Sequence, residues 1–114
     1  MGQKEDCMSL LIYPVTIEVV RGVRPLIQQI KREDPNLADQ LRRAVTSVPL
    51  NVSEGAYSQG RNCRARFFNA LGSAGEVRAC LDVGEAMEYV ETVDPALRDK
   101  LDHVIATVYR LTLR

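Results

Sequence analysis

The chain has 114 residues; 46% of them are hydrophobic, 26% are charged, and 15 basic side chains balance 15 acidic ones. This length and composition are typical of one globular domain and exclude an intrinsically disordered chain. No apolar run reaches the roughly 18 residues that cross a membrane, the N-terminus is a poor signal peptide, and the three cysteines lack metal-binding spacing. We therefore predict a cytoplasmic protein with no membrane partner, no metal and no cofactor.

Hydrophobic residues recur every three or four positions along most of the chain, which predicts helices. Pro14, Pro35 and Pro95 suit first helical positions, and either Asp34 or Asn36 is expected to cap the second helix. Connections are short and no segment alternates with the strand period, so the expected fold is all-α, an antiparallel up-down-up-down four-helix bundle. The bundle is predicted over residues 14–114, after an N-terminal extension of residues 1–13, with helices at about 14–32, 35–57, 62–90 and 94–112.

The predicted second helix carries Pro49 in its interior, where proline removes a backbone donor and bends a helix. Asn51, Glu54 and Gly55 follow within two turns. We interpret these three residues as packing and capping residues at the C-terminal end of the bent helix. The alternative is a ligand site that uses the side chains of Asn51 and Glu54.

Gly72 and Gly75 lie in the middle of the predicted third helix, where each glycine costs about 1 kcal/mol relative to alanine. Close approach of another backbone is the usual reason for such glycines. We therefore predict tight helix packing there, and destabilisation when leucine replaces either glycine. A hydrogen-bonded polar layer between the second and third helices is expected from Asn51, Glu54, Ser73 and Glu76.

Charge is unevenly distributed along the chain. Residues 42–75 contain five arginines and one acid, whereas residues 76–102 contain eight acids and three basic residues. Three of the arginines crowd the start of the third helix, where the helix dipole is already positive. They could contact the acidic surface of a neighbouring subunit, bind nucleic-acid phosphate, or be solvated. The candidate anion-binding or nucleic-acid-binding residues are Arg42, Arg43, Arg61, Arg64 and Arg66.

Asp82, Glu85, Glu88 and Glu91 recur every three residues. No histidine lies near them, so we interpret them as a solvated or subunit-facing stripe rather than as metal ligands. His103, the only histidine, falls on the predicted polar face of the fourth helix. One histidine supports neither a Ser-His-Asp nor a Cys-His arrangement, and no phosphate-binding loop is present. We predict no catalytic residue and expect a protein that is not an enzyme.

Two segments, "QLRRAVTSVPLNVSEGAYSQGR" and "FFNALGSAGEVRACL", carry a resemblance to a known family. Together they resemble the four helix bundle proteins, also known as the intervening-sequence protein family of large-subunit ribosomal RNA. The resemblance covers roughly residues 16–112. The matching positions are Arg42, Arg43, Ser47, Val48, Asn51, Val52, Ser53, Glu54, Gly55, Gly60, Arg61, Gly72, Ser73 and Glu76.

The resemblance implies an all-helical subunit that assembles as a homopentamer and has no known enzymatic activity. It also implies kinship with the accessory variability protein of diversity-generating retroelements, a basic barrel that binds a reverse transcriptase and nucleic acid. We therefore expect a non-enzymatic homo-oligomeric scaffold, with itself as partner, in a ribonucleoprotein complex. The alternative is a protein that binds RNA or DNA directly through the arginines between the second and third helices, or that binds a nucleic-acid enzyme.

Overall fold

A computed structural model describes the backbone of residues 3–113 and the side chains of residues 7–113. Within this range the chain is all helical, and the four helices form a bundle measuring 45 × 24 × 19 Å. Each helix contacts the helices before and after it, and the first also contacts the fourth. The predicted all-α four-helix bundle is confirmed. The helices are α1 (Gln3–Glu33), α2 (Pro35–Ala56), α3 (Gly60–Ala86) and α4 (Pro95–Thr112).

Side-chain caps and prolines define the starts of α2 and α4. The Asp34 carboxylate accepts a hydrogen bond from the Leu37 amide at 2.9 Å, which selects Asp34 from the two predicted caps of α2. The Asp94 carboxylate accepts from the Ala96 amide at 3.0 Å in the same way. Proline occupies the first turn in both helices, where its missing N–H has no intrahelical partner to lose.

Helix α1 begins at Gln3, well before the start that we predicted near Pro14, and it continues through Pro14 and Pro25. The earlier turns are held by packing, because Ser9 and Ile12 are buried in the bundle. Burial of these turns offsets the one backbone hydrogen bond that Pro14 removes. Contacts with the other helices therefore decide where α1 begins.

Helix α3 spans Gly60–Ala86 and not the predicted 62–90. Gln59 precedes it and makes no side-chain capping bond. At the other end Glu88 adopts a left-handed backbone conformation with φ of 60°, which stops the helix. The amide of Tyr89 then donates to the carbonyl of Gly84 at 2.9 Å and turns the chain towards α4.

All four helices contribute to the core, mostly with valine, leucine and alanine. No helix within the described residues combines the length and the apolar character that a membrane crossing needs. The fully or nearly buried hydrophobic residues at the centre include Val19, Val23 and Ile30 of α1, Leu41, Val45, Val48 and Val52 of α2, Phe67, Ala70, Ala74, Val77 and Leu81 of α3, and Leu101, Val104 and Val108 of α4.

Candidate functional site on α2 and α3

A short polar network joins the middle of α2 to the middle of α3. The hydroxyls of Ser47 and Ser73 lie 2.9 Å apart. The Asn51 amide nitrogen donates to the Ser47 hydroxyl at 2.9 Å and to the Ser47 carbonyl at 3.0 Å. All three side chains are half-buried and have partners. Asn51 and Ser73 of the predicted polar layer are thus linked through Ser47, which that layer did not include.

The two glutamates that we placed in the same layer lie outside it. The Glu54 carboxylate is exposed and lies 3.4 Å from the guanidinium of Arg66. Glu76 is also exposed and borders a shallow groove between α2 and α3, which Ser47, Ser73 and Arg43 line as well. The hydrogen bond between the two helices joins Ser47 to Ser73, and neither glutamate takes part in it.

Pro49 and Gly55 are both buried within α2. Helix α2 continues past Pro49 to Ala56. A Cβ atom added to Gly55 would lie 2.5 Å from the ring of Phe67, so the missing side chain is what lets this ring pack against the α2 backbone. The Gly55 carbonyl also accepts from the Ser58 amide at 3.3 Å at the end of the helix.

Gly72 and Gly75 behave differently from Gly55. A Cβ atom added at either position would meet nothing within 4 Å outside the helix itself. Gly72 is exposed and Gly75 is half-buried. The close backbone approach that we predicted at these glycines is therefore wrong within the subunit.

Arg42 and Arg43 share one acidic partner on the same helix. Arg42 donates to the Asp39 carboxylate at 2.8 Å, and Arg43 donates to it through Nε at 2.9 Å and also through a terminal nitrogen. The hydrogen bonds from Arg42 and then Arg43 lower the pKa of Asp39 below its ordinary value. One carboxylate thus offsets about half of the positive charge of this pair, and both arginines remain exposed.

The start of α3 holds the other three candidate arginines. Arg61, Arg64 and Arg66 are all exposed, in the first two turns of a helix that has no side-chain N-cap. Arg66 reaches Glu54 of α2. The positive end of the helix dipole and these cations make this end of the bundle electropositive.

The five candidate arginines form two separate groups. Arg66 lies level with Glu54 of α2, because their side chains are in contact. Arg42 precedes Glu54 by twelve residues of the same helix, so it lies about 18 Å farther along the bundle at a rise of 1.5 Å per residue. The structure does not bring these arginines into one patch.

The acidic stripe of α3 is partly structural. Arg98 of α4 contacts Asp82 at 2.8 Å and Glu85 at 3.0 Å. The Glu85 carboxylate also accepts from the Val93 amide at 2.7 Å. This amide and then Arg98 lower the pKa of Glu85. Glu85 therefore ties the loop between α3 and α4 to the bundle.

No group of three or more His, Cys, Asp or Glu side chains is placed to hold a metal ion in the part of the chain that the structure describes. Cys80 is buried, and burial followed by the nearby Glu76 charge raises the pKa of its thiol. His103 is exposed on α4. We find no arrangement among these groups that performs a chemical step.

Sequence reasoning missed the large apolar side chains that the bundle leaves exposed. They occupy the start of α1, the second half of α2 with its C-cap, α3 with its C-cap, and the end of α4. Their helical spacing was visible in the sequence. Those more than half exposed are Leu10, Leu11, Leu50, Tyr57, Phe68, Met87, Tyr109 and Leu113.

The model of the 23S rRNA-intervening sequence protein family matches residues 8–110. The chain belongs to this family. A comparison with curated proteins gives no match. The family resemblance that the arginine pair and the glycine motifs carried is thereby confirmed. The match begins at Met8, so it includes part of the segment that we assigned to an N-terminal extension.

Among solved structures, the chain is similar to a protein with unknown function from the S23 ribosomal protein family of Bacteroides thetaiotaomicron VPI-5482. The two share 16% identity with a TM-score of 0.82, and the alignment covers 94% of this chain and 99% of the other. At this identity the likeness shows the fold alone. Neither description names an enzymatic activity, and the expectation that this chain is not an enzyme stays a prediction.

Proposed function

We propose that this family member is a non-enzymatic subunit that assembles with copies of itself and acts as a scaffold in a ribonucleoprotein complex. The proposed assembly is the ring of five subunits that the family resemblance implies. One observation carries the self-assembly: an exposed apolar surface that spans the start of α1 and the end of α2, which we call the α1–α2 face.

The α1–α2 face contains a cleft of about 250 Å³. Leu10 and Tyr13 of α1 border it on one side, and Ala56 and Tyr57 of α2 border it on the other. Leu10 is 55% exposed and Tyr57 is 82% exposed. An aromatic ring and a leucine held in water around one cleft are typical of a surface that another protein covers.

Leu50 extends the same surface along α2. It precedes Tyr57 by two helical turns and is 62% exposed, so both side chains point away from the core on one side of the helix. A contact between this face and a different face of the next copy is head-to-tail, and a head-to-tail contact closes into a ring when the rotations between successive copies add up to a full turn. The α1–α2 face is thus suited to a cyclic scaffold.

The test is the mass of the protein in solution, measured by native mass spectrometry and light scattering across micromolar concentrations. We expect a species of five subunits or of a multiple of five. Leu50→Lys and Tyr57→Lys should reduce it to smaller species while circular dichroism stays unchanged, because both side chains are exposed in the subunit. Tyr109→Lys is the matched control, because Tyr109 lies on α4, outside the α1–α2 face, and is 53% exposed. A 12.7 kDa monomer at every concentration would contradict the proposal.

A second candidate function is direct RNA or DNA binding, which the electropositive start of α3 favours. Each phosphate that an arginine neutralises releases counterions, so affinity should fall steeply with salt. We expect Arg61→Ala with Arg64→Ala to weaken binding of a structured RNA and to flatten its salt dependence by about 0.9 per lost phosphate contact on duplex. Arg21→Ala with Arg24→Ala on α1 is the charge-matched control. Equal loss in both pairs would show only a net-charge effect.

The separation of the two arginine groups sharpens this second test. If one RNA duplex bridged both groups, Arg42→Ala should reduce the salt dependence further in the background of the α3 double variant. Binding through the start of α3 alone predicts no further change. A wild-type protein that binds no structured RNA at low salt would remove the second candidate.

A further inference from the structure

Helix α3 has two apolar faces, and only one of them is covered. The inner face, with Phe67, Ala74 and Leu81, lies in the core. A second set of apolar and small residues repeats at spacings of three, four and seven residues and is exposed along the helix. Such a repeat is typical of a seam between helices. We call it the outer α3 face; its residues are Ala65, Phe68, Gly72, Ala79 and Val83.

The large members of this face are held in water in the subunit. Phe68 is 53% exposed and Val83 is 45% exposed. A solvated helix face normally carries polar and charged residues instead. Exposed Glu76 interrupts the face between Gly72 and Ala79, and the other positions of the outer α3 face have the composition of a contact surface.

The two mid-helix glycines lie within this face or at its border and have no explanation inside the subunit. Each costs about 1 kcal/mol relative to alanine, yet nothing within 4 Å would meet a Cβ at Gly72 or Gly75. The absence of side chains here allows a second helix to approach closely from outside. The glycines thus mark the point at which an external helix would cross α3.

Charge along α3 indicates what this external helix is. Arg61 and Arg64 lie in its N-terminal half, and Asp82 lies in its C-terminal half. The glycines stand at the midpoint of Gly60–Ala86. A second α3 in antiparallel orientation therefore places Arg64 of one copy near Asp82 of the other, and Phe68 against Ala79. A parallel copy would place like charges together.

Asp82 already accepts a hydrogen bond from Arg98 of its own chain at 2.8 Å. A carboxylate has two oxygens with about four acceptor sites, so it can bind a second guanidinium from another copy. Its side chain is 62% exposed, which leaves room for this contact. The ion pair with Arg98 thus orients the Asp82 carboxylate, which can then accept a hydrogen bond from Arg64 of the second copy.

We infer that the outer α3 face is a two-fold contact between two copies of this chain, in which the two α3 helices cross antiparallel at Gly72 and Gly75. This contact uses a different surface from the α1–α2 face and does not depend on the ring. A two-fold contact closes with two copies. Combined with a ring of five it joins two rings into ten subunits; alone it makes a dimer.

The experiment is sedimentation equilibrium and native mass spectrometry of the full chain, with variants at the crossing point. Gly72→Leu adds bulk where the subunit has open space, so the subunit should fold while the two copies are forced apart. Phe68→Lys places charge in the same contact. We expect each to raise the dissociation constant of the two-fold contact by about tenfold or more. Ala106→Leu, at an exposed position of α4, is the control and should change nothing.

A charge exchange tests the antiparallel orientation. Arg64→Glu should weaken the two-fold contact, and the double variant Arg64→Glu with Asp82→Lys should restore most of it. Circular dichroism of each variant checks that the subunit is folded. A double variant no tighter than Arg64→Glu alone would overturn the antiparallel arrangement.

The masses separate this inference from the proposed function. If the wild type has ten subunits and Gly72→Leu has five, both the ring and the two-fold contact are supported. If the wild type has two subunits and Gly72→Leu has one, the two-fold contact is supported and the ring is contradicted. Five subunits in the wild type that persist unchanged in Gly72→Leu and Phe68→Lys would overturn the two-fold contact and leave the ring. A wild-type monomer at all concentrations would overturn both.

Discussion

Glycines lie beside two regions of α3, and the space next to them is filled in one region and open in the other. At its first turns the ring of Phe67 packs onto Gly55 of α2, where a Cβ would lie 2.5 Å away. At its midpoint Gly72 and Gly75 face open space. The same residue type is thus required by the fold in one region and unexplained by the subunit in the other. A glycine inside a helix therefore does not by itself indicate whether the close contact it permits lies within the subunit or outside it.

The largest effect is expected at the buried region. Gly55→Ala should destabilise the subunit by about 1–3 kcal/mol, because the new methyl group overlaps the buried ring of Phe67. Chemical denaturation measures it. Combining it with Phe67→Leu should recover part of the loss, since a smaller side chain removes the overlap. If Gly55→Ala were as stable as the wild type, our account of this contact would fail.

The opposite sign is expected at the open region. Gly72→Ala should stabilise the isolated subunit by about 1 kcal/mol, because alanine is the better helix former and nothing opposes its Cβ. This corresponds to a rise in melting temperature of about 4 °C, measured at the lowest protein concentration that gives a signal. It is the matched counterpart of Gly55→Ala. A fall in melting temperature would show that another part of the subunit packs on this face.

Glu88 is the converse case, because a residue with a Cβ occupies a backbone conformation that favours glycine. Glu88 has a φ of 60° at the end of α3, a strained value for any residue with a Cβ. Glu88→Gly should stabilise the subunit by about 0.5–1 kcal/mol, since relief of strain exceeds the entropy that glycine loses on folding. Thermal unfolding measures it, with Glu91→Gly as the control. A loss of stability would mean that the Glu88 side chain has a role of its own.

The smallest effect concerns the ion pairs beside that turn. The pKa of Glu85 is lowered by the Val93 amide and then by Arg98, so the native state binds fewer protons than the unfolded state near this pKa. Its stabilisation is present above the unfolded pKa and is lost as pH falls through the lower folded pKa. Glu85→Gln should be less stable than the wild type at pH 7.

The gap between wild type and Glu85→Gln should begin to close as the pH falls through the ordinary glutamate pKa of about 4.3, and it should be gone below the lower folded pKa, where the wild-type carboxyl is protonated as well. Urea denaturation across this range measures the gap. Glu91→Gln, an exposed acid in the same loop, should show no such closing gap. A pH-independent difference for Glu85→Gln would assign its effect to shape and not to charge.

Local sequence predicted four helices and offered Asp34 as one of two caps for α2, because hydrophobic period and capping chemistry act over a few residues. It did not predict the start of α1, since burial of Ser9 and Ile12 by other helices decides whether the chain stays helical before Pro14. It also placed the end of α3 too late, because the turn at Glu88 depends on hydrogen bonds returning from the loop.

The candidate site divides in the same way. Ser47, Asn51 and Ser73 could be singled out by spacing, and they do form one hydrogen-bonded contact. The arginines could be listed from charge alone, but their separation into two groups follows from the antiparallel register of α2 against α3. The register of α2 against α3 depends on how the side chains of the two helices pack together, which neither helix specifies by itself.

Four helices, their pattern of polar and apolar faces and the family to which the chain belongs follow from local sequence. The surroundings of each glycine follow from helix packing, because they depend on atoms distant in sequence: Gly55 contacts Phe67, whereas a Cβ at Gly72 would meet nothing within 4 Å. Packing also determines which apolar residues stay exposed. Phe67 and Phe68 are adjacent in the chain, yet the helix rotates one into the core and leaves the other in water.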